Sequence, residues 1–382
     1  MSLDPSLVLP PPARPGDPLS AIDTPALLVE LDAFERNLAR MQARADAAGV
    51  ALRPHAKAHK CPAIAQAQLR QGAVGICCQK VSEALPFVLA GVPDILVSNE
   101  IAGPAKAALL ARMALHARMS VCVDHAGQIA ALAATTAEAG SRLDVLVEVD
   151  IGQERCGVAD APAVLRLLEA LAAHPQLRFK GLQAYHGAIQ HLRGHAERAA
   201  AAARAAERTA AVLAELQRAG VRCEVVTGGG TGSVEFDLAS GVYTEVQPGS
   251  YPFMDADYGS SEYGDALRFE HSLFLASTVM SCGNGERIVL DAGLKSLAVD
   301  SGLPRVWDDG RESGSLVYAA ANDEHGIVRS REAGQPRPAL GSMLLLVPGH
   351  CDPTLNLHDE LVAVRAGRVE AIWPIAARGL SR

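Results

Sequence analysis

Aromatic residues are scarce in this chain: Phe, Tyr and Trp together make up 4% of 382 residues. The core must therefore rest on Ala, Leu and Val, within a normal globular balance of 49% hydrophobic and 20% charged residues. A basic surplus is also absent. Against 43 Asp and Glu stand 35 Lys and Arg, a net charge of −8. That argues against bulk nucleic-acid binding, which needs cations to neutralise phosphates, and does not exclude a local basic pocket. None of the eight cysteines (Cys61, Cys77, Cys78, Cys122, Cys156, Cys223, Cys282 and Cys351) forms a C-x-x-C pair. Scattered thiols in a chain of this size read as buried and reduced, which points to a cytoplasmic protein. The opening MSLDPSLVLPPPARPGDP has neither a cationic start nor a long apolar run. Neither a signal peptide nor an anchor is expected there, and its prolines suggest an extended surface arm. No later segment reaches the length of a membrane span, and no solenoid-type repeat is evident.

The length is too great for one small domain; a large barrel with an accessory domain, or two ordinary domains, is expected. From Ala26 to Gln247, short β-rich runs alternate with amphipathic helices. Ala26–Leu31 reads as a strand. The helix after it places Phe34, Leu38, Met41 and Ala45 on one face, and Gly49 ends it. Further strands are expected at Ala51–Arg53, Val74–Cys78, Asp94–Val97, Ser120–Val123, Leu143–Val149, Phe179–Ala184, Cys223–Val226 and Tyr243–Gln247. Leaving out the first, these are eight strands in β/α alternation. Eight such units in roughly 200–250 residues suggest a closed parallel (β/α)8 barrel of TIM type, with a doubly wound open sheet as the competitor. After Tyr258 the runs Ser272–Met280, Arg287–Asp291, Met343–Val347, Leu361–Val364 and Glu370–Trp373 are short, β-rich and punctuated by Gly, Pro and Asp. They read as an antiparallel β domain. The expected organisation is an arm and first strand over 1–31 joining that β domain, a barrel over 32–264 and the β domain over 265–382.

The most informative stretch is Arg53-Pro54-His55-Ala56-Lys57-Ala58-His59-Lys60, with two Lys, two His, one Arg and no acid. Neighbouring cations and burial both disfavour an ammonium ion, so a lysine here should lose its proton readily. A neutral amine is what a carbonyl-bound covalent catalyst needs. A solvated basic turn is the plain alternative.

In a barrel, chemistry collects at the C-terminal ends of the strands. The residues directly after each strand are therefore informative: His55 and Lys57, then Gln79 and Lys80, Ser98 to Glu100, Asp124-His125, Asp150 with Arg155, Tyr185-His186 with His191, Thr227 to Ser233, and Pro248 to Tyr251. Gly-rich turns with hydroxyls come after both the seventh and the eighth strand. They contain Gly230, Thr231, Gly249 and Ser250. Those two loops are the usual phosphate site of such barrels. The first lacks the Gly-Lys-Ser/Thr ending of a nucleotide P-loop, and plain tight turns would read the same way. A phosphate held opposite a lysine after the first strand describes pyridoxal phosphate bound as a Schiff base. Further on, His350 and Asp352 stand two apart in Pro348-Gly349-His350-Cys351-Asp352-Pro353. In extended chain they share a face, with Cys351 pointing away, and can share one metal ion. Imidazole plus carboxylate suits Mn²⁺, Mg²⁺ or Zn²⁺; a polar loop is the alternative.

With HAKAHK, CCQKVSEA, EVDIGQERCG, QAYHG, TGGGTGSVEFD, QPGSYPFMD, DAGLKS and PGHCDPTLNLHD in place, the chain resembles the D-threonine aldolase family of alanine racemase-like, fold type III pyridoxal-phosphate enzymes. The resemblance implies a Schiff-base lysine at Lys57, although spacing alone does not choose between Lys57 and Lys60. It implies cofactor and phosphate contacts from Gln79, Gly230, Thr231, Gly249 and Ser250, an arginine facing the pyridine nitrogen at Arg155, and Tyr185 packed near the ring. It places the metal on His350 and Asp352, Mn²⁺ or Mg²⁺ before Zn²⁺ because a carboxylate is a hard ligand. His191 is implied as the base near the substrate hydroxyl, with a metal-bound hydroxide as the alternative.

The chemistry so implied cleaves D-threonine and related small-molecule D-3-hydroxy amino acids to glycine and an aldehyde. The metal acidifies the β-hydroxyl and the cofactor accepts the electrons. Rivals of the same fold are 3-hydroxy-D-aspartate aldolase, which needs a cation for the extra carboxylate, and D-serine dehydratase, which places a Cys where Asp352 stands. A non-enzymatic pyridoxal-phosphate carrier is the rival of another class, and it lacks a β domain. The fold type also implies a homodimer, with the β domain of one subunit closing the barrel mouth of the other.

Overall fold

Two sheets organise the chain in a computed structural model that describes residues 10–264, 267–283, 287–332 and 334–382. The first sheet holds eight parallel strands: β2 (Ala51–Leu52), β3 (Ile76–Cys78), β4 (Asp94–Glu100), β5 (Arg118–Val123), β6 (Leu143–Glu148), β7 (Leu177–Ala184), β8 (Val225–Gly228) and β9 (Glu245–Val246). Their order is β2-β9-β8-β7-β6-β5-β4-β3. The two ends of that row meet: His55 bridges Cys77 in parallel, and the Val74 N–H donates to the Leu52 carbonyl at 2.9 Å. The sheet is thus a closed barrel, and the open doubly wound alternative falls. Strands such as β6 are buried at every position, as expected where a sheet is covered on both faces. Helices α1 (Leu31–Ala48), α2 (Pro62–Gln71), α3 (Val81–Leu89), α4 (Pro104–Met113), α5 (Ala126–Ala139), α6 (Ala161–Ala172), α7 (His195–Arg218) and α8 (Val234–Ala239) surround it. In α1 the expected stripe Phe34, Leu38, Met41 and Ala45 is buried, and Gly49 closes the helix in the left-handed region at φ 66°.

The second sheet is antiparallel except at one pair. Its main path is β13 (Arg311–Glu312), β12 (Arg305–Asp308), β16 (Met343–Val347), β10 (Leu273–Ser281), β1 (Ala26–Glu30), β17 (Glu360–Arg365) and β18 (Arg368–Pro374). β11 (Arg287–Leu290), β15 (Gly326–Ser330) and β14 (Leu316–Ala321) extend it from β10. β1 pairs antiparallel with β10 and parallel with β17, so the first strand lies inside the second sheet. Its side chains alternate as the pleat requires. Leu27 and Val29 join the main core that includes the barrel's outer layer, and Ala26 and Leu28 pack on the sheet's other face. Residues 10–25 run beside β18, with Gly16 donating to Val369 and Leu19 to Gly367; residues 1–9 of the expected arm lie outside the described residues. The expected boundary at 264/265 likewise falls at an undescribed pair, 265–266.

Three expectations need correction. Sequence patterning marks only five strands after Tyr258, whereas the structure adds β12 to β15. These strands are short, and β13 is exposed on both residues, so little apolar alternation marks them. β8 begins two residues later than expected and ends at Gly228, and β4 runs on to Glu100, which moves Thr227 and Ser98 to Glu100 from loops into strands. The segment after His350 is not extended: His350 is the N-cap of a short helix, α9 (Cys351–Leu355).

Candidate active site

All eleven residues to which the resemblance gives a role line one cavity at the C-terminal ends of the barrel strands. Lys57, Gln79, Arg155, Tyr185, His191, Gly230, Thr231, Gly249, Ser250, His350 and Asp352 are joined there by His55, Ser98, Gln183, Gln247 and Tyr258. A larger groove of about 790 Å³ on the β domain, lined by residues such as Trp307 and Leu345, shares none of these residues. Chemistry rather than size therefore identifies the site.

Lys57 sits on a single 3-10 turn, Ala56–Ala58, after β2. His55 caps the turn by accepting from the Lys57 N–H at 3.3 Å. The cationic crowd expected around Lys57 dissolves in three dimensions. Arg53 points into the barrel and pairs with Asp94 at 2.8 Å and Glu245 at 2.9 Å. Lys60 pairs with Glu83 at 3.0 Å and bonds Asn356. Burial holds His55 well below the ordinary histidine range, and it lowers His59 to about 4, so both are neutral. The Lys57 side chain is 40% exposed, and its Nζ lies 3.9 Å from an Asp352 oxygen. Burial lowers the affinity of Lys57 for its proton, but Asp352 and then Tyr185 outweigh it, and the net direction is up. The expectation of an easily deprotonated Lys57 is thus reversed by an acid that is remote in sequence.

The two Gly-rich loops are tied to each other and to the lysine turn. The Ser250 N–H donates to the Thr231 hydroxyl at 3.0 Å, and the His55 N–H to the Pro248 carbonyl at 3.1 Å. A Cβ on Gly249 would stand 3.2 Å from the His55 carbonyl oxygen, tighter than most real contacts. Gln190, on the turn Gly187–His191, accepts from the Gly232 N–H at 2.8 Å and donates to Ser233 at 2.8 Å, bracing the first loop.

Arg155 lies after β6 on a loop organised by Asp150, whose Oδ1 accepts from the N–H groups of Gly152, Gln153 and Glu154. Its guanidinium lies 3.7 Å from Glu148 and 5.5 Å from the centre of the Tyr185 ring. Burial, then Glu100 beside it, pushes the Glu148 carboxyl upward. Glu100, Asp124 and Cys156 gather next to it, with potential ligand atoms within 4.8 Å of one another. A proton on Glu148 relieves this crowding of acids.

His191 closes its turn with Nδ1 2.7 Å from Asp257 Oδ2. A carboxylate only accepts, so Nδ1 carries the proton. That hydrogen bond raises the affinity of His191 for a second proton. Arg193 also binds Asp257, through its Oδ1 and its backbone carbonyl. Asp257 was not visible from sequence; its only signal was a place ten residues beyond Gln247, in QPGSYPFMDADYG.

On the β-domain side, His350 Nδ1 lies 2.7 Å from Asp300 Oδ2. Asp352, in the first turn of α9, faces Lys57 as described, and Asp255 fixes the helix start by accepting from the Cys351 N–H at 2.8 Å. Cys351 is buried, with Sγ 3.3 Å from Asp352 Oδ1. Burial pushes its thiol well up, so it stays protonated.

A closed parallel barrel with a lysine after its first strand, joined to an antiparallel β domain that reaches the same cavity, defines the alanine racemase-like architecture. Residues 29–257 match the family described as alanine racemase, N-terminal domain, and residues 272–364 match a serine dehydratase domain. Within that architecture the chain belongs to the D-threonine aldolase family. It is 56% identical to a D-threonine aldolase of Arthrobacter sp., over 98% of each chain. It is 44% identical to a 3-hydroxy-D-aspartate aldolase of Paracoccus denitrificans, over 96% of this chain and 95% of that one. The crystal structure of D-threonine aldolase from Filomicrobium marinum superposes with a TM-score of 0.94 at 49% identity, covering 97% of this chain and all of the other. These relatives are lyases, and so is this protein.

Proposed function

We propose that this enzyme cleaves D-threonine and related D-3-hydroxy amino acids to glycine and an aldehyde, using pyridoxal 5'-phosphate and one divalent metal ion. One observation carries the reading: an amine, a two-loop hydroxyl cradle and an imidazole–carboxylate pair converge on one cavity from two domains. The donor set suits both groups. Lys57 offers the amine that a carbonyl cofactor requires. The hydroxyls of Thr231 and Ser250, with backbone N–H groups around Gly230 and Gly249, suit a phosphate. Gln79 and Tyr185 line the same cavity and would help to hold the cofactor's ring. The guanidinium of Arg155 cannot give up its proton at working pH, so toward a bound cofactor it would act only as a hydrogen-bond donor. Bound there, the cofactor supplies an electron sink at Cα. His350 and Asp352 provide one imidazole nitrogen and one carboxylate oxygen, a set that favours Mn²⁺ or Mg²⁺ over Zn²⁺. His191 takes the proton from the substrate β-hydroxyl through Nε2, because Asp257 commits Nδ1.

The test is incubation with D-threonine, D-3-hydroxyaspartate and D-serine, each with and without Mn²⁺. Glycine with acetaldehyde from the first, dependent on Mn²⁺, is expected; pyruvate from D-serine as the main product would overturn the assignment. We further propose a cytoplasmic homodimer. Among the described residues no helix is long and apolar enough to cross a membrane. Light scattering showing a fully active monomer would refute the dimer.

A further inference from the structure

We propose that Asp300 is the positioning residue for His350, fixing the tautomer and orientation in which that imidazole meets the metal. The inference rests on the proposed metal role of His350. His350 Nδ1 and Asp300 Oδ2 are 2.7 Å apart. Since a carboxylate only accepts, the proton is on Nδ1 and the lone pair is left on Nε2, the form in which imidazole binds a metal. Ser301 stands in the same cluster, with Oγ 3.2 Å from Asp300 Oδ2 and 3.3 Å from His350 Nδ1.

The surrounding backbone is built to hold this contact. Thr354 donates its hydroxyl to the His350 carbonyl at 2.7 Å and accepts from the Ala298 N–H at 3.1 Å. His358 meets the Ser296 carbonyl at 2.7 Å. At the other end, a Cβ on Gly349 would lie 2.0 Å from the Gly302 carbonyl oxygen, so only glycine allows the Asp300 loop to lie this close. The loop from Ser296 to Gly302 is therefore pinned to the His350 segment on both sides of Asp300. Stability does not explain the arrangement. The Asp300 side chain is 54% exposed, and exposed ion pairs contribute little to folding. Orienting a ligand does explain it, because a carboxylate behind a metal-bound histidine fixes the ring and raises its basicity.

The test uses full-length protein loaded with pyridoxal phosphate and stripped of metal, titrated with Mn²⁺ and followed by calorimetry and by the electron paramagnetic resonance of free Mn²⁺. Asp300→Ala is expected to weaken Mn²⁺ binding by about 10- to 100-fold. Asp300→Asn, which keeps an acceptor for Nδ1–H but not the charge, should recover part of that loss. The visible absorbance of the bound cofactor should be the same in wild type and both variants, since Asp300 touches none of the cofactor-side residues. His350→Ala is the reference. If it loses Mn²⁺ while Asp300→Ala binds as wild type does, the positioning role is overturned and the metal site stands. If His350→Ala itself binds Mn²⁺ like wild type, the metal site of the proposed function fails, and the role of Asp300 fails with it.

Discussion

The two walls of the cavity are built on different principles. The barrel wall is made of residues in the loops after parallel strands, each brought to the cavity by the strand before it. The β-domain wall is made of loop and helix-start residues placed by contacts across about fifty to a hundred positions or more: Asp300 to His350, Asp255 to Cys351, Asp352 to Lys57. The first kind of wall is gathered by the alternation of strands and helices and then trimmed by contacts between loops. The second needs a tertiary fold before any side chain has a neighbour. The proposed chemistry divides along the same line, with the cofactor on the barrel wall and the metal on the other.

That division can be broken most severely at Lys57. Lys57→Ala should lose covalently held cofactor altogether, whereas Lys60→Ala should keep it, because Lys60 is occupied by Glu83 and Asn356. Borohydride reduction and then peptide mass mapping read this directly; a reduced adduct on Lys60 would reverse the assignment. The complementary break is on the other wall. His350→Ala and Asp352→Ala should abolish D-threonine cleavage yet leave the yellow cofactor in place, and chelation should reproduce both. Exchange of the glycine α-proton, which involves no β-hydroxyl, should persist weakly in His350→Ala. Full cleavage by rigorously chelated wild type would remove the metal from the reaction.

A structural contrast lies inside the basic segment itself. Lys57 faces the cavity, but Arg53 is a buried staple between Asp94 on β4 and Glu245 on β9. Arg53→Met leaves Asp94 only the more distant Arg118 at 3.4 Å and Glu245 only the Thr227 hydroxyl at 2.9 Å, and breaking a buried ion pair costs about 3–5 kcal/mol. A large fall in melting temperature is expected, and an unchanged one would mean the acids find other partners. Smaller still is Thr231→Val on the barrel wall. Losing one charge-assisted hydrogen bond should weaken cofactor affinity by about 1.5–3 kcal/mol, roughly 10- to 150-fold. Titration of cofactor into the apo variant measures it, and unchanged affinity would move the phosphate away from this loop.

These contrasts also explain what the sequence made legible. Barrel strands announce themselves by alternation with helices, so the residues after them could be read off in order, from Lys57 to Ser250. The β domain shows its longer apolar runs; β12, β13 and β15 are short and carry Arg, Asp or Glu, and β14, though apolar, is a single six-residue run with no partner visible in the sequence. The orienting acids Asp257 and Asp300 lie 66 and 50 residues from the histidines they hold, and no periodicity links such positions. The charge environment of Lys57 is hidden from the sequence for the same reason. Its sequence neighbours are neutral or paired elsewhere, and the acid that governs it comes from the other wall.

The gentlest test sharpens the role of one of those acids. A base must be neutral before it can accept a proton, so activity should rise with pH through the His191 titration. The hydrogen bond to Asp257 raises the proton affinity of His191, while Arg193 lowers it. The acid limb of kcat/KM in wild type should therefore lie above the ordinary histidine range. Asp257→Asn keeps an acceptor for Nδ1–H but removes the charge, and it leaves Arg193 without its anion. Both changes lower the affinity of His191 for its proton, so the acid limb should shift to lower pH. The plateau rate should fall by less than it does in His191→Asn, where loss of the general base costs about 10²- to 10⁴-fold. A pH series of kcat/KM on D-threonine at saturating Mn²⁺ resolves the two effects. An acid limb that stays where it was in Asp257→Asn would mean that another group limits the reaction at low pH, and His191 would lose its place as the base.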